Sequence, residues 1–143
     1  MASNGTLTVA GDVNAPLSLT PADLKSFPRA QVGMRENGRS AIYEGVSLAD
    51  ILKRAGAPVG PELRRDAIAA YVVATAADGY QVVFSLAEID PGFTLNDIIV
   101  ADTADGAPLF AQQGPLRIVV PKDIRSGRSI RMLTRLEVVR LKK

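Results

Sequence analysis

Residues 114–133 read GPLRIVVPKDIRSGRSIRML, and this stretch decides how the rest of the chain is organised. It opens with branched aliphatic residues, which are typical of a strand in a sheet interior, and it breaks at Pro121. It returns to sheet-like sequence at 130–133. The loop contains Lys122, Asp123, Arg125, Ser126, Gly127, Arg128 and Ser129. Guanidinium groups, hydroxyls and backbone N–H groups near a glycine form a site for an anion or a polar heterocycle, unless the loop is only a solvated basic turn.

The composition excludes several classes of function. The 143 residues include no Cys and no His, which excludes disulfides, thiolate nucleophiles and His-based triads and makes zinc chemistry very unfavourable. A net charge of +2 with 5% aromatic residues gives no reason to expect a nucleic acid partner. The sequence lacks an apolar run of about 18 residues, so no membrane insertion is expected. An enzyme built on this chain would depend on carboxylates, Lys, Tyr, Ser or a bound cofactor.

Alternating apolar residues and frequent turns predict many short strands. Besides the strand in the opening stretch, strands are predicted at 6–10, 17–19, 29–35, 40–43, 68–75, 80–84, 98–101 and 135–141. The residues at 36–39 (ENGR) predict a hairpin turn, because Asn-Gly tolerates positive φ angles. The pattern therefore predicts a compact, strand-rich α+β fold with a few short helices, forming one domain over residues 1–143.

Few helices are predicted. Short helices are expected after Thr20 and Ser85, which are good N-cap residues. The clearest helix is predicted at 47–55, with Ser47 and Asp50 as a capping box. Its apolar residues fall at helical spacing and predict one buried stripe, formed by Leu48, Ile51, Leu52 and Ala55.

Four segments together resemble the oxidoreductase molybdopterin-binding domain, which has the sulfite-oxidase-like fold. They are LTVAGDVNAPLSLTPADLKSFP (7–28), YEGVSLADILKRAG (43–56), TAADGYQVVFSLAEIDP (75–91) and GAPLFAQQGPLRIVVPKDIRSGRSIRMLTRLEV (106–138). The resemblance covers nearly the whole chain in the right order. It implies a pterin site lined by the loop before the final strands, where the family has a G-x-K/R-x-V-K pattern. Residues 126–131 (SGRSIR) stand in that place.

The absence of Cys is a departure from this family, whose molybdenum enzymes hold the metal with a Cys thiolate and the pterin dithiolene. We therefore expect a non-catalytic relative that binds a neopterin- or tetrahydrobiopterin-like pterin without molybdenum. The resemblance further implies a sensing role beside a membrane-bound signalling protein, in a periplasmic protein whose leader is absent from this chain, or otherwise in the cytoplasm. One alternative is a molybdenum-cofactor oxidoreductase, or a subunit of one, with a non-thiolate metal ligand. Another is an interaction module with a vestigial pocket.

The chemistry of a pterin selects the candidate site residues, with no catalytic or metal-binding residue among them. The loop supplies the donors Arg125, Arg128, Ser126 and Ser129, with Lys122 and Gly127 beside them. Asp123 or Glu36 would accept from the pterin amino group and ring N–H. Tyr80 or Phe84 would provide the stacking face. Each has an ordinary alternative: core packing for Phe84, a cross-strand surface pair for Tyr80 and an exposed turn for Glu36.

Overall fold

The computed structural model describes residues 5–141, and strands dominate it. The strands are β1 (Leu7–Gly11), β2 (Leu17–Leu19), β3 (Ala30–Glu36), β4 (Arg39–Ser47), β5 (Ala70–Ala76), β6 (Gln81–Ser85), β7 (Ile99–Ala104), β8 (Ala107–Pro108), β9 (Arg117–Val119) and β10 (Leu133–Arg140). The helices are α1 (Pro21–Lys25), α2 (Leu48–Arg54) and α3 (Leu86–Ile89), with short 3-10 helices at Gly60–Glu62, Arg65–Ala69 and Ser126–Arg128. The predicted strand-rich α+β class is confirmed.

The strands form two sheets. The first has the order β2-β1-β10-β5-β6, and its β1 and β10 run parallel. The second has the order β3-β4-β7-β8, with β9 also paired to β7. Strands β4 and β7 approach closely at Gly45, where an added Cβ would lie 1.9 Å from the carbonyl oxygen of Val100. Only glycine fits this position without displacing the neighbouring backbone.

The larger hydrophobic core joins both sheets and the helices. The stripe predicted on α2 faces it: Leu48, Ile51, Leu52 and Ala55 are all buried. A smaller cluster covers the other face of the second sheet and includes Met34, Tyr43, Ile99, Ala101 and Val119. Because side chains alternate along a strand, Arg117, two residues before Val119 on β9, points to the same face of the sheet.

Turns and helix caps follow local chemistry in most places. Asn37 and Gly38 have φ angles of 53° and 78° and join β3 to β4 as predicted. Thr20 and Ser85 cap α1 and α3 with complete capping boxes. The predicted capping box at Ser47 is wrong: its side chain makes no cap hydrogen bond. Ser47 is the last residue of β4 and pairs with Ile99, so the sheet fixes its backbone.

The opening stretch connects the two sheets. Strand β9 belongs to the second sheet and β10 to the first. The predicted return to strand at 130–133 is wrong for residues 130–132, because β10 begins at Leu133. These residues still run beside β9, where the N–H of Ile118 donates to the carbonyl of Ile130 at 2.9 Å. The loop at 120–132 therefore lies where the two sheets meet.

The prediction of one domain over residues 1–143 stays a prediction, and its ends, residues 1–4 and 142–143, lie outside the described residues. Within residues 5–141, the helices are too short and too polar to cross a membrane.

Candidate functional site

A buried ion pair lies beside the loop. Arg117 on β9 is 0% exposed, and charged side chains are rarely buried to this extent unless they are paired. Its Nη1 and Nη2 donate to Oε1 and Oε2 of Glu36 at 3.0 and 3.3 Å. Glu36, whose side chain is 12% exposed, ends β3 at the Asn-Gly turn. This two-pronged contact joins β9 to the β3–β4 hairpin.

The same guanidinium also anchors the loop. Arg117 Nη2 donates to the carbonyl of Ser129 at 2.6 Å, and Nη1 donates to the Tyr43 hydroxyl and to Gln113 Oε1, each at 3.3 Å. Its carbon lies 5.4 Å from the centroid of the Tyr43 ring. Among residues 5–141, Arg117 Nε has no hydrogen-bond partner. The loop backbone is thus fixed to the sheet by one buried cation.

Glu36 is charged in the folded protein. Burial by itself would raise its pKa, but hydrogen bonds and charge from Arg117, a hydrogen bond from Ser126 and the charge of Arg131 lower the pKa to about 2. Arg131 Nη2 lies 3.2 Å from Glu36 Oε1, and its side chain is 41% exposed. One carboxylate therefore binds a buried guanidinium on one side and a half-exposed guanidinium on the other.

Two cavities meet at this carboxylate. The first, here called the loop cavity, has a volume of about 420 Å³ and is lined by Glu36, Asn37, Ala76, Asp78, Tyr80, Gln112, Ser126, Gly127, Ser129, Ile130, Arg131 and Met132. The second, here called the hairpin cavity, has a volume of about 800 Å³ and is lined by Glu36, Asn37, Arg39, Ser40, Ala41, Tyr43, Ala104, Asp105, Ala107, Pro108, Phe110, Gln113 and Arg131. Glu36, Asn37 and Arg131 belong to both walls. Cavities of this size accept small organic ligands.

The structure brings Tyr80, Ser126 and Gly127 together on the wall of the loop cavity. The Tyr80 hydroxyl donates to the carbonyl of Gly127 at 2.8 Å, and Tyr80 is 51% exposed. Ser126 and Gly127 are exposed in the short 3-10 helix. Ser129 also contributes to this wall, but its side chain is occupied internally: Oγ accepts from the Val120 N–H at 2.9 Å.

Arg128 and Asp123, predicted as separate ligand groups, bind each other. Arg128 Nε and Nη2 donate to Asp123 at 3.0 and 2.9 Å, and Nη1 donates to Glu88 at 2.6 Å. The hydrogen bond to Asp123 is the main cause that raises the pKa of Arg128. Arg128 lies 5.0 Å over the ring of Phe84, which is fully buried. Phe84 thus packs in the core, its ordinary alternative, and a ligand has no access to its ring face as a stacking surface.

Lys122 and Arg125 are exposed in the same loop but stand outside the two cavity walls as residues 5–141 define them. Sequence reasoning missed Arg117, Arg131, Tyr43 and Gln113, which surround Glu36. A signal for Arg117 was present, because an arginine inside a run of buried aliphatic residues needs a partner. Arg131 was visible only as the last residue of the family-like SGRSIR segment.

The site has few groups suited to binding a metal. No cluster of three or more Asp and Glu side chains that could hold a metal ion occurs in the part of the chain that the structure describes. The whole chain lacks Cys and His. The loop cavity is lined by hydroxyls, backbone groups, one aromatic ring, the amides of Asn37 and Gln112, the carboxylates of Glu36 and Asp78 and the guanidinium of Arg131. This mixture of donors and acceptors suits a polar heterocyclic molecule better than a bare cation.

The fold and this cavity define a small strand-rich domain with room for an organic molecule. The profile of the oxidoreductase molybdopterin binding domain matches residues 2–143, and the chain belongs to this family. A search of curated proteins found no match. Among solved structures, sulfane dehydrogenase SoxCD from Paracoccus pantotrophus is similar, with a TM-score of 0.74 and 23% sequence identity. The match covers 96% of this chain and 39% of that chain, and it shows the shared fold.

The family corrects one expectation. The predicted resemblance to the molybdopterin-binding domain is confirmed, but the prediction of a metal-free pterin, with no molybdenum, is wrong. Molybdopterin is the organic part of the molybdenum cofactor, and this family is defined by binding it. The family also favours the oxidoreductase alternative over non-catalytic pterin sensing. Export to the periplasm and a membrane-bound signalling partner stay predictions.

Proposed function

We propose that this domain holds the molybdenum cofactor of an oxidoreductase, without a thiolate ligand from its own chain. The loop cavity carries the proposal, because it lies at residues 126–131 in a chain that matches the family over residues 2–143. The similar protein is named a sulfane dehydrogenase, which agrees with redox chemistry. Because this chain spans 39% of that chain, the activity of the whole enzyme belongs to the proposal.

The residues present fit the organic part of the cofactor. The 420 Å³ volume lies within the range of small-molecule sites. Ser126 and Gly127 offer a hydroxyl and backbone groups, Tyr80 offers a half-exposed ring, and Arg131 offers a cation for a phosphate or a ring carbonyl. When bound, the cofactor supplies oxygen-atom or electron transfer. Because the chain has no Cys, none of its residues could supply a thiolate to the metal, and its side chains would hold the organic part of the cofactor.

The buried ion pair keeps this wall in place. Arg117 holds the carbonyl of Ser129 and the carboxylate of Glu36 at once, so the loop and the β3–β4 hairpin keep a fixed separation. Glu36 orients Arg131 at the cavity wall. A preorganised wall lowers the ordering cost of binding. Arg117 is therefore a positioning residue, whereas Arg131 is exposed enough to touch the cofactor.

The direct test is metal and pterin analysis of the chain purified from cells that make the cofactor. We expect molybdenum, measured by mass spectrometry, and pterin, measured by fluorescence after oxidation, in equal amounts close to one per chain. Gly127→Leu should reduce the bound molybdenum and the bound pterin. A Cβ at Gly127 would meet only the Tyr80 hydroxyl, at 3.9 Å, so the leucine side chain would fit and would fill part of the loop cavity. Gly33→Leu is the matched control on an exposed strand, where the added Cβ has only Ile42 within 4 Å.

The results separate the possibilities. Pterin without molybdenum would contradict the proposed oxidoreductase function, and so would the absence of both. Equal loss of both in the Gly127→Leu and Gly33→Leu variants would show that the loop cavity is not the cofactor site.

A further inference from the structure

The hairpin cavity differs in chemistry from the loop cavity. Its 800 Å³ volume is almost twice as large, and its lining includes the apolar residues Ala41, Ala104, Ala107, Pro108 and Phe110. Phe110 is 76% exposed at this wall. A large aromatic side chain that is exposed beside a cavity contributes apolar contact area at low entropic cost when a ligand covers it. The wall therefore suits a ligand with an apolar body.

The lining of this cavity also carries positive charge. Arg39 is exposed and forms no ion pair with any residue between 5 and 141. Arg131 contacts Glu36 at 3.2 Å and keeps 41% of its side chain exposed. Glu36 is paired with Arg117, whereas Asp105, whose Oδ1 accepts the Ile42 N–H at 2.8 Å, keeps its charge. With Glu36 matched to Arg117, the guanidinium groups of Arg39 and Arg131 outnumber the one remaining carboxylate of this wall.

The cavity is too large for an inorganic oxyanion alone. One water occupies about 30 Å³ of liquid, so a four-oxygen anion would fill only a small part of the 800 Å³. Apolar residues would then stay hydrated, and little binding energy would come from Phe110 and Pro108. An organic molecule with an anionic head can contact the guanidinium groups and the apolar residues at once.

We propose that the hairpin cavity binds an organic anion, with a carboxylate or sulfonate head against Arg39 and Arg131 and an apolar body against Phe110 and Pro108. Glu36, Asn37 and Arg131 line both cavities, so this ligand lies next to the loop cavity. If the proposed function is correct, this ligand is the substrate of the redox centre, and that part of the inference rests on the proposed function. Binding of the ligand to the hairpin cavity does not depend on the cofactor.

Calorimetry with three probes tests this inference on the purified chain: toluene-4-sulfonate, the uncharged 4-methylbenzyl alcohol and inorganic sulfate. We expect toluene-4-sulfonate to bind about tenfold more tightly than either of the others, since each lacks one half of the interaction. Arg39→Gln should weaken its binding about tenfold and Phe110→Ala several-fold. Both side chains are exposed, so neither change should alter folding. Arg64→Gln and Phe93→Ala, at exposed residues that do not line this cavity, are the matched controls.

Equal affinity for the three probes would overturn the inference, and so would undetectable binding or equal effects of the site and control variants. The two proposals fail separately. Binding of toluene-4-sulfonate that depends on Arg39 in a chain that never loads molybdenum would support the cavity and contradict the redox function. Loading of molybdenum without binding of this probe would support the redox function and contradict the inference about the hairpin cavity.

Discussion

Replacing Glu36 with Gln removes the charge that neutralises a fully buried guanidinium. At position 36, Arg117 would find one neutral amide oxygen in place of the carboxylate, while its bonds to Ser129, Tyr43 and Gln113 would stay. A fall of the Glu36 pKa from 4.5 to about 2 corresponds to about 3 kcal/mol in favour of the folded state when the group is charged. Removing one partner of a buried ion pair costs about 3–5 kcal/mol in other proteins. We therefore expect Glu36→Gln to lower the free energy of unfolding by about 3 kcal/mol at neutral pH.

The stabilising effect of Glu36 depends on pH. The pKa of Glu36 is lowered by folding, so its stabilising effect is complete above about 4.5 and is lost as the pH falls toward 2. The stability difference between the wild type and Glu36→Gln should shrink over this window, because protonated Glu36 is also neutral. Urea unfolding followed by circular dichroism, in buffers from neutral to acid, measures both effects.

Two variants sharpen this test. Glu44→Gln removes a more exposed carboxylate on the adjacent strand and should stay close to the wild type. Adding Arg117→Met to Glu36→Gln should restore part of the lost stability, since an apolar side chain can occupy the buried position without an unpaired charge. Equal stability of Glu36→Gln and the wild type at neutral pH would refute the reasoning. A difference that stays constant down to acid pH would also refute it.

Three further predictions concern the fold, and all are measured by urea unfolding. Gly45→Ala should destabilise by about 3 kcal/mol, because the new Cβ would collide with the Val100 carbonyl. Gly33→Ala should change little, because its Cβ would make only an ordinary contact with Ile42, and similar values for both variants would contradict this. Ser85→Ala should cost about 1 kcal/mol by removing the cap of α3, and an unchanged midpoint would contradict the capping role. Phe84→Ala should cost about 4 kcal/mol as a core truncation, and a cost below about 1 kcal/mol would mean that the ring is not in the core.

Local features were predictable from the sequence because they depend on near neighbours. The Asn37-Gly38 turn and the Thr20 and Ser85 caps involve residues within a few positions of each other. Ser47 shows the limit of such reasoning. Its residue type suits a cap, but the pairing of β4 with β7 holds it as a strand residue. Tertiary structure outweighs local preference there.

The centre of the candidate site was less predictable. Arg117 and Glu36 are 81 positions apart, and no local pattern connects them. Sheet pairing brings them together, and that pairing depends on the whole fold. Arg128 and Asp123 are five positions apart, so their mutual ion pair could have been considered beside their role as ligand groups. Oppositely charged side chains that are close in sequence can form an ion pair with each other and are then less available to bind a ligand.

The central place of β10 has a consequence for synthesis of the protein on the ribosome. This strand pairs with β1 on one side and β5 on the other, although it comes last in sequence among the strands of residues 5–141. A nascent chain that stops before Leu133 has β1–β2 and β5–β6 as separate hairpins with unpaired edges. The first sheet can therefore close only after translation has passed this strand, and until then its exposed edges need protection from aggregation.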